Sequence, residues 1–491
     1  MSQDFSQGVA AAGVCLDELF PAARQAGPAG VVVQQCTTDW RRVRPGDAFV
    51  AALGADDDGH DHVAEAVKRG AKAVIAEQLV PAFSVPVYVV DDSRAAFGEL
   101  CHALVGHPSR QMRVVGVIGD CGKSTVVALL ESIFSKAGCD VGVLSSLTSY
   151  DGQSVGLGIG KGLSAAALAS RLAHMDAAGC THAILEISSE ALCQQKLAGI
   201  DLDTLIATRV DATNLDVHNT PQNYRDAQQK ALGYLGAEGL AIVDADDPVA
   251  CRWLANLDSA SLTYGLNDNA QITADIVTRN ACETVFVLVA GCESAAVRTT
   301  IVGDAHVSNC LAAAATALSH GVDLQTIAAG IEALDRLPAR MERIDCGQDF
   351  AVFVDAAKTA PALRATLRTA RQMARGRVIC VLGEAPAAPA EATVVRSIVE
   401  RMADLTILTD AVQTTANWPT PAADANDWQV ANDRGEAIAW AVAVAGPGDV
   451  VVIAGSRGPT ECGFGVAEMT DADATREMLY TRVQPEFRLV G

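Results

Sequence analysis

Residues 112–125, MRVVGVIGDCGKST, constrain the fold more than any other stretch of the chain. An apolar, β-branched run stops at Gly119-Asp120-Cys121-Gly122-Lys123-Ser124-Thr125, which predicts a buried strand, a glycine turn and a helix start in succession. Such an order belongs to an α/β layer, with the turn at the carboxyl edge of a mostly parallel sheet. The glycines let backbone amides converge on a polyphosphate, and the helix start adds the positive end of its dipole. Lys123 supplies a point charge, and the hydroxyl of Ser124 or Thr125 is a hard oxygen for Mg²⁺. Gly119, Gly122, Lys123, Ser124 and Thr125 are therefore the candidate nucleotide-binding residues. The turn reads G-x-x-G-K-S-T, shorter than the G-x-x-x-x-G-K-[ST] loop.

At 491 residues the chain is too long for a single core. Half of it is hydrophobic and only 4% aromatic, which suits α/β layers packed from small side chains. A formal charge of -22 argues against nucleic acid or anionic membrane as a partner held by bulk electrostatics; any anionic ligand must rely on local Lys, Arg and helix starts. Fourteen Cys residues lie between Cys15 and Cys462 with no CxxC pair, and no charged-then-apolar leader opens the chain, which predicts reduced thiols and a cytoplasmic location. No run approaches the roughly 18 apolar residues of a membrane span, so no membrane insertion is expected.

Three domains are expected. Residues 1–108 alternate short apolar runs (47–53, 71–77, 85–90) with helical stretches, and Gly106-His107-Pro108-Ser109 ends them because Pro108 disfavours helix at His107. Residues 109–337 repeat strand and helix around the glycine turn, with strands predicted at 113–118, 141–145, 183–187, 204–208 and 240–244. Within them, 271–302 has an antiparallel character and 308–320 is an Ala-rich helix. After Leu337-Pro338, residues 338–491 bring four more alternations, a separate Rossmann-like layer with strands at 350–354, 377–382, 405–408 and 450–453.

Several landmarks then line up in order, and together they resemble the Mur ligases, nearest the UDP-N-acetylmuramoyl-tripeptide synthetase branch. RVRPGDAFVAA at 42–52, followed by Asp58-Gly59-His60, resembles the opening of the family's uridine-nucleotide domain. The short glycine loop is the form used by folate- and muramate-type amide ligases and looks like GTNGKTT. Leu185-Glu186-Ile187-Ser188-Ser189-Glu190 resembles EVSSH, whose Glu ligates Mg²⁺. Asp244-Ala245-Asp246-Asp247-Pro248, Thr263-Tyr264-Gly265 and Arg340-Met341-Glu342-Arg343 resemble three further markers, the last being the GRMER segment between the central and final domains. The resemblance implies the three-domain Mur ligase architecture, with a central P-loop parallel sheet and a C-terminal Rossmann-like domain.

Ligand-facing motifs depart from the family pattern more than the apolar strands do. Gln228, in Tyr224-Arg225-Asp226-Ala227-Gln228, stands where the family carries a carbamylated lysine, and an amide cannot become that anionic bridge. Lys230 lies two residues on, about 200° round a helix. Residues 208–220, TRVDATNLDVHNT, keep Asp216 and His218 of TNLSRDHLDYHGT. Lys161-Gly162-Leu163 replaces TTP, His306 replaces an Asn, and Asp355-Ala356-Ala357-Lys358-Thr359 replaces DYAHT. Gly455-Ser456-Arg457-Gly458 replaces GKGHE, residues 382–390 lack the charged glycine loop, and Asp410-Ala411-Val412-Gln413 replaces the selector DNPR, without its arginine fork for a carboxylate.

By resemblance, ATP phosphorylates a carboxylate of a UDP-muramoyl-peptide and an amino acid amine then forms the amide. The implied cofactors are ATP and Mg²⁺, and the implied partners are that peptide and an amino acid. Lys123 is assigned to ATP phosphates with Arg343 as a further phosphate group, Ser124 and Glu186 to Mg²⁺, His218 to the metal and catalytic site, and Asp355 to the incoming amine or the hinge. Two readings stay open: an ATP-dependent ligase adding an amino acid to UDP-N-acetylmuramoyl-dipeptide in peptidoglycan biosynthesis, and a catalytically inactive homologue acting as a nucleotide-binding scaffold or regulator for a protein partner. A folylpolyglutamate-type ligase fits the first domain and the GRMER-like segment less well.

Overall fold

Strands buried on both faces need apolar side chains at every position, and such strands pair in parallel beneath helices. In the computed structural model, which describes residues 13–54, 57–81, 84–159, 162–210, 218, 220–255, 257, 259–267, 269–383, 389–409, 427–455 and 469–483, strand Arg113–Ile118 lies inside an eleven-stranded sheet. Val141–Leu144, His182–Glu186, Arg113–Ile118, Leu202–Ala207, Leu235–Asp244 and Ala260–Tyr264 run side by side, all parallel. Ile272–Arg279, Thr284–Ala290 and Glu293–Thr299 extend one side as an antiparallel meander, as the Thr/Val alternation predicts. At the other edge, Thr148–Tyr150 and Val155–Leu157 add an antiparallel pair that the sequence reading did not expect.

The strand period of two divides the core. Val115 and Val117 join Leu129, Leu130, Ile133 and Phe134 of helix Lys123–Lys136 on one face. Val114 and Ile118 join Leu172 and Met175 of helix Ala165–Ala177 on the other. Each such Leu, Ile or Phe contributes about 1.5–3 kcal/mol by leaving water. Helix Leu324–Glu332 packs closely on Lys123–Lys136 because Gly330 has no side chain; a Cβ there would lie 2.6 Å from Ile133 Cα. The glycine loop is thereby mounted on a helix held from both sides.

The first layer is a five-stranded sheet in the order Arg24–Ala26, Val87–Val89, Ala73–Ala76, Ala48–Val50, Cys36–Thr37, antiparallel only at its first pair. Helix Ser93–Leu104 is capped by Asp92, which accepts from the Arg94 and Ala95 amides. It meets the middle layer at Gly98, where a Cβ would stand 2.7 Å from the Ala198 carbonyl oxygen. The last layer has six strands, Glu342–Arg343, Ala351–Asp355, Val450–Ala454, Val378–Leu382, Leu405–Leu408 and Asp427–Val430, parallel apart from the first pair. Across its face lies helix Ala360–Met373, whose buried Leu363, Leu367 and Ala370 recur at helical spacing. Between middle and last layers the chain passes through Ala339 and Met341, both left-handed, at φ 51° and 45°. Among the described residues no helix is long and apolar enough to cross a membrane.

Candidate active site

The glycine turn forms at the carboxyl end of Arg113–Ile118, next to strand His182–Glu186, whose Glu186 is in register with Val117. Gly119 and Gly122 take φ of 124° and 94°, which side chains resist, and a Cβ on Gly122 would strike Asn309 Oδ1. The backbone thus approaches its neighbours as closely as it does because nothing projects from it. Lys123 begins the helix, and its Nζ donates to the Gly119 carbonyl at 2.6 Å, lying back along the loop whose charge requirement it would meet.

Ser124 and Glu186 meet as the sequence reading expects. Ser124 Oγ donates to Glu186 Oε1 at 3.1 Å, while Glu186 Oε2 accepts from the amide and hydroxyl of Ser146 at 2.8 and 2.9 Å. These are hard oxygen donors at a strand end beside a phosphate-type loop. That set suits Mg²⁺, which keeps one or two carboxylates and takes its remaining ligands from phosphate and water. Arg340 reaches the same hydroxyl, its Nη2 lying 3.4 Å from Ser124 Oγ.

A cleft of about 260 Å³ opens between this edge and the last layer, with Lys123, Ser124, Thr125, Glu186 and Asn309 on one wall and Arg340, Asp355 and Lys358 on the other. Asp355 is buried. Its Oδ2 accepts from the Met341 amide at 2.7 Å, and its Oδ1 from the Ala357 amide at 2.9 Å and the Thr366 hydroxyl at 3.2 Å. Burial raises its pKa against the opposing pull of those bonds and of Arg340. Of the two roles expected for it, the geometry favours the hinge, since both carboxylate oxygens hold backbone on either side of the strand end. His306 also lines the cleft; burial lowers its pKa to about 3, so the ring is neutral.

Two expected residues lie elsewhere. Arg343 turns away, pairing with Asp345 at 2.7 Å, and it is Arg340, three residues earlier, that faces the loop. His218 is buried under the sheet edge, its Nε2 sharing a hydrogen bond with Ser189 Oγ at 2.9 Å and its Nδ1 lying 3.8 Å from Cys193 Sγ. Those contacts occupy the imidazole, and it does not line the cleft with Ser124 and Glu186. Gln228 is buried too. Its Nε2 donates to the Tyr224 hydroxyl at 2.6 Å, the Tyr224 hydroxyl donates to Asp120 of the loop, and Gln228 Oε1 has no partner among the described residues. A neutral amide does not fit a carbamylated lysine, and among the described residues no group of three His, Cys, Asp or Glu side chains could hold a metal. Lys161, Asp216, Asp410 to Gln413, Ser456 to Gly458 and most of the 382–390 loop lie outside the described residues. Asn309 and Arg340 line the cleft and Ser146 backs Glu186, and none of the three was singled out as a site group; Asn309 sits one helical turn after His306 and was open to discovery by that spacing.

Three stacked α/β layers, with a glycine loop and an acid–hydroxyl pair facing a Rossmann-like layer across a cleft, define a phosphate-loop protein of the multidomain ligase type. The chain belongs to the Mur ligase family. Residues 32–103 match the Mur ligase family catalytic domain, 117–317 the Mur ligase middle domain, and 339–457 the Mur ligase glutamate ligase domain. It is 32% identical over 461 residues to the UDP-N-acetylmuramoyl-L-alanyl-D-glutamate–2,6-diaminopimelate ligase of Geobacillus kaustophilus, covering 90% of this chain and 94% of that one. To the UDP-N-acetylmuramyl-tripeptide synthetase of a Roseiflexus species it is 32% identical over 450 residues, 85% of this chain and 88% of the relative. A solved structure of a UDP-N-acetylmuramoyl-L-alanyl-D-glutamate–2,6-diaminopimelate ligase superposes with a TM-score of 0.69 at 23% identity, covering 96% of this chain and all of that one. MurF of Thermotoga maritima in complex with ADP does so at 0.62 and 17%, covering 92% and 98%. The chain is thus a Mur-ligase-family protein resembling the tripeptide-forming, ATP-dependent ligases of peptidoglycan synthesis, and nothing in these relatives supports the inactive reading.

Proposed function

We propose that the chain is an ATP- and Mg²⁺-dependent ligase that joins an amino acid to the carboxylate of a UDP-muramoyl-peptide in the cytoplasm. The observation that carries this reading is the meeting of Lys123, the Ser124–Glu186 pair and Arg340 in one cleft. When bound, Mg²⁺·ATP supplies the phosphoryl group that makes the carboxylate an acyl phosphate, from which the amine displaces phosphate to form the amide.

The residues contribute position and charge. Lys123, whose Nζ donates to the Gly119 carbonyl, would hold a phosphate oxygen of bound ATP as a stronger, charge-assisted partner. Ser124 and Glu186 would hold the cation, with Ser146 fixing the second carboxylate oxygen. Arg340 brings positive charge from the opposite wall towards the oxygens on which negative charge grows. Asp355 holds the Arg340–Met341 backbone in place through the Met341 amide.

The purified chain is to be given ATP, Mg²⁺, UDP-muramoyl-dipeptide and a panel of amino acids, with phosphate release as readout. Release that needs all components is expected. No release with any amino acid, while ATP still binds, would overturn turnover and leave a nucleotide-binding homologue.

A further inference from the structure

A second cavity, of about 630 Å³, shares no lining residue with the cleft. It forms where His107 and Arg110 precede strand Arg113–Ile118, where Asp201 precedes Leu202–Ala207, and where Tyr234 precedes Leu235–Asp244. These neighbouring strands are parallel, so the cavity lies at their amino ends and the glycine loop at their carboxyl ends, about 20 Å apart for a six-residue strand. Its other side comes from the first layer, through Leu19, Ala95 and Glu99. Its volume falls in the range of small-molecule sites.

The polar groups lining it are mostly satisfied by one another. Arg110 Nε donates to Asp201 Oδ2 at 2.9 Å, and the Tyr234 hydroxyl donates to Gln195 Oε1 at 2.6 Å. Two charged groups are left over. Among the described residues, neither the Glu99 side chain nor that of the exposed Lys230 makes a hydrogen bond or an ion pair, with each other or with anything else. Glu99 is half-buried, and burial followed by the nearby Asp92 raises its pKa. His107 and Gln195, at φ 52° and 53°, are two of four left-handed non-glycine residues among those described, and both line this cavity. Such conformations gather at sites where surrounding structure holds them for a purpose.

Opposite charges without partners, one from each layer, suit a ligand that carries both signs itself. We propose that this cavity binds a small zwitterion of the α-amino-acid class, its ammonium on Glu99 and its carboxylate on Lys230, so that the occupant ties the first layer to the middle one. Lys230, which cannot serve the cleft from its place after Gln228, thereby has a role at the far end of the sheet.

Full-length protein is to be titrated calorimetrically with glycine, L-alanine, L-glutamate and L-lysine, and with the N-acetyl and carboxamide derivatives of each, in the absence of nucleotide. Saturable binding of at least one free amino acid is expected, weakened tenfold or more by Glu99→Gln and by Lys230→Met, and lost in derivatives that lack either charge. Lys230→Arg should retain it. Both charge-removing variants should melt like the parent without ligand and keep parental ATP affinity, which separates this site from any amine-binding position in the cleft. Binding that ignores both substitutions, derivatives that bind as well as the free amino acids, or no binding at all would each overturn the proposal, whatever the outcome of the ligase assay.

Discussion

Ser124 Oγ donates to Glu186 Oε1 across 3.1 Å, tying the first turn of helix Lys123–Lys136 to the carboxyl end of the neighbouring parallel strand. The pair fixes the edge of the glycine loop against the sheet and sets two hard oxygens side by side. It therefore offers a separable test of cation binding and of phosphate binding.

Glu186→Gln should leave the fold intact, since an amide still meets Ser124 and Ser146, while removing the negative charge that a divalent cation requires. The Mg²⁺ concentration needed for half-maximal ATP binding should rise about tenfold, or roughly 1.4 kcal/mol. Titration of Mg²⁺ at fixed ATP measures it; an unchanged requirement would remove Glu186 from the cation site.

Lys123→Ala removes the loop's point charge. Hydrogen bonds to charged groups are worth about 1.5–3 kcal/mol, so ATP should bind ten- to a hundredfold more weakly by calorimetry. Among the described residues the Lys123 side chain binds only the Gly119 carbonyl, so melting should change little. Equal ATP affinity in both proteins would remove the nucleotide assignment from this loop.

Gly122→Ala should damage the loop through its backbone. The position has φ 94°, and the new methyl meets Asn309 Oδ1. A left-handed alanine costs about 1–2 kcal/mol before the clash. Urea unfolding should show a loss of that order or more, and a second substitution, Asn309→Ala, should recover the steric part alone. Full recovery would show that the φ angle is not a constraint.

Acidification should destabilise the protein through its buried histidines. Burial lowers His306 to about 3 and both His102 and His320 to about 4, from 6.5. A depressed histidine is neutral when folded but takes a proton when unfolded. Stability is thus complete above 6.5 and lost as pH falls towards 4, by up to about 1.4 kcal/mol per pH unit for each group. Asp244 opposes this, because burial raises it from 3.8 to about 6 and its protonated form favours the fold in that window. Burial also lowers His107 and His182 and raises Glu99, Glu131 and Asp355, so five histidines stand against four carboxylates, and urea midpoints should drop between pH 7 and 5, where the unfolded histidines take up their protons. His306→Gln should make the drop shallower; an identical slope would show that His306 titrates freely.

What could be read from the sequence follows how locally each feature is determined. Strand Arg113–Ile118 and the glycine loop are written in adjacent residues, and Leu405–Leu408 falls where its apolar run predicts. Arg340 and Arg343 could not be told apart, because Ala339 and Met341 are left-handed and the direction of each arginine depends on that turn. Ser146 was hidden for a different reason: it follows Val141–Leu144 as one of two ordinary serines, and only sheet order brings it to Glu186. His218 kept its place in a familiar pattern, yet packing against Ser189 and Cys193 decides where its nitrogens point.

Arg340, which reaches Ser124, and Met341, which Asp355 holds, are consecutive residues of the strap between the middle and last layers. Were the last layer to swing about this strap, the guanidinium would be withdrawn from the loop as the gap widened. Opening and loss of positive potential are geared together by one peptide bond, so an anionic occupant is released by the same movement that exposes it to water.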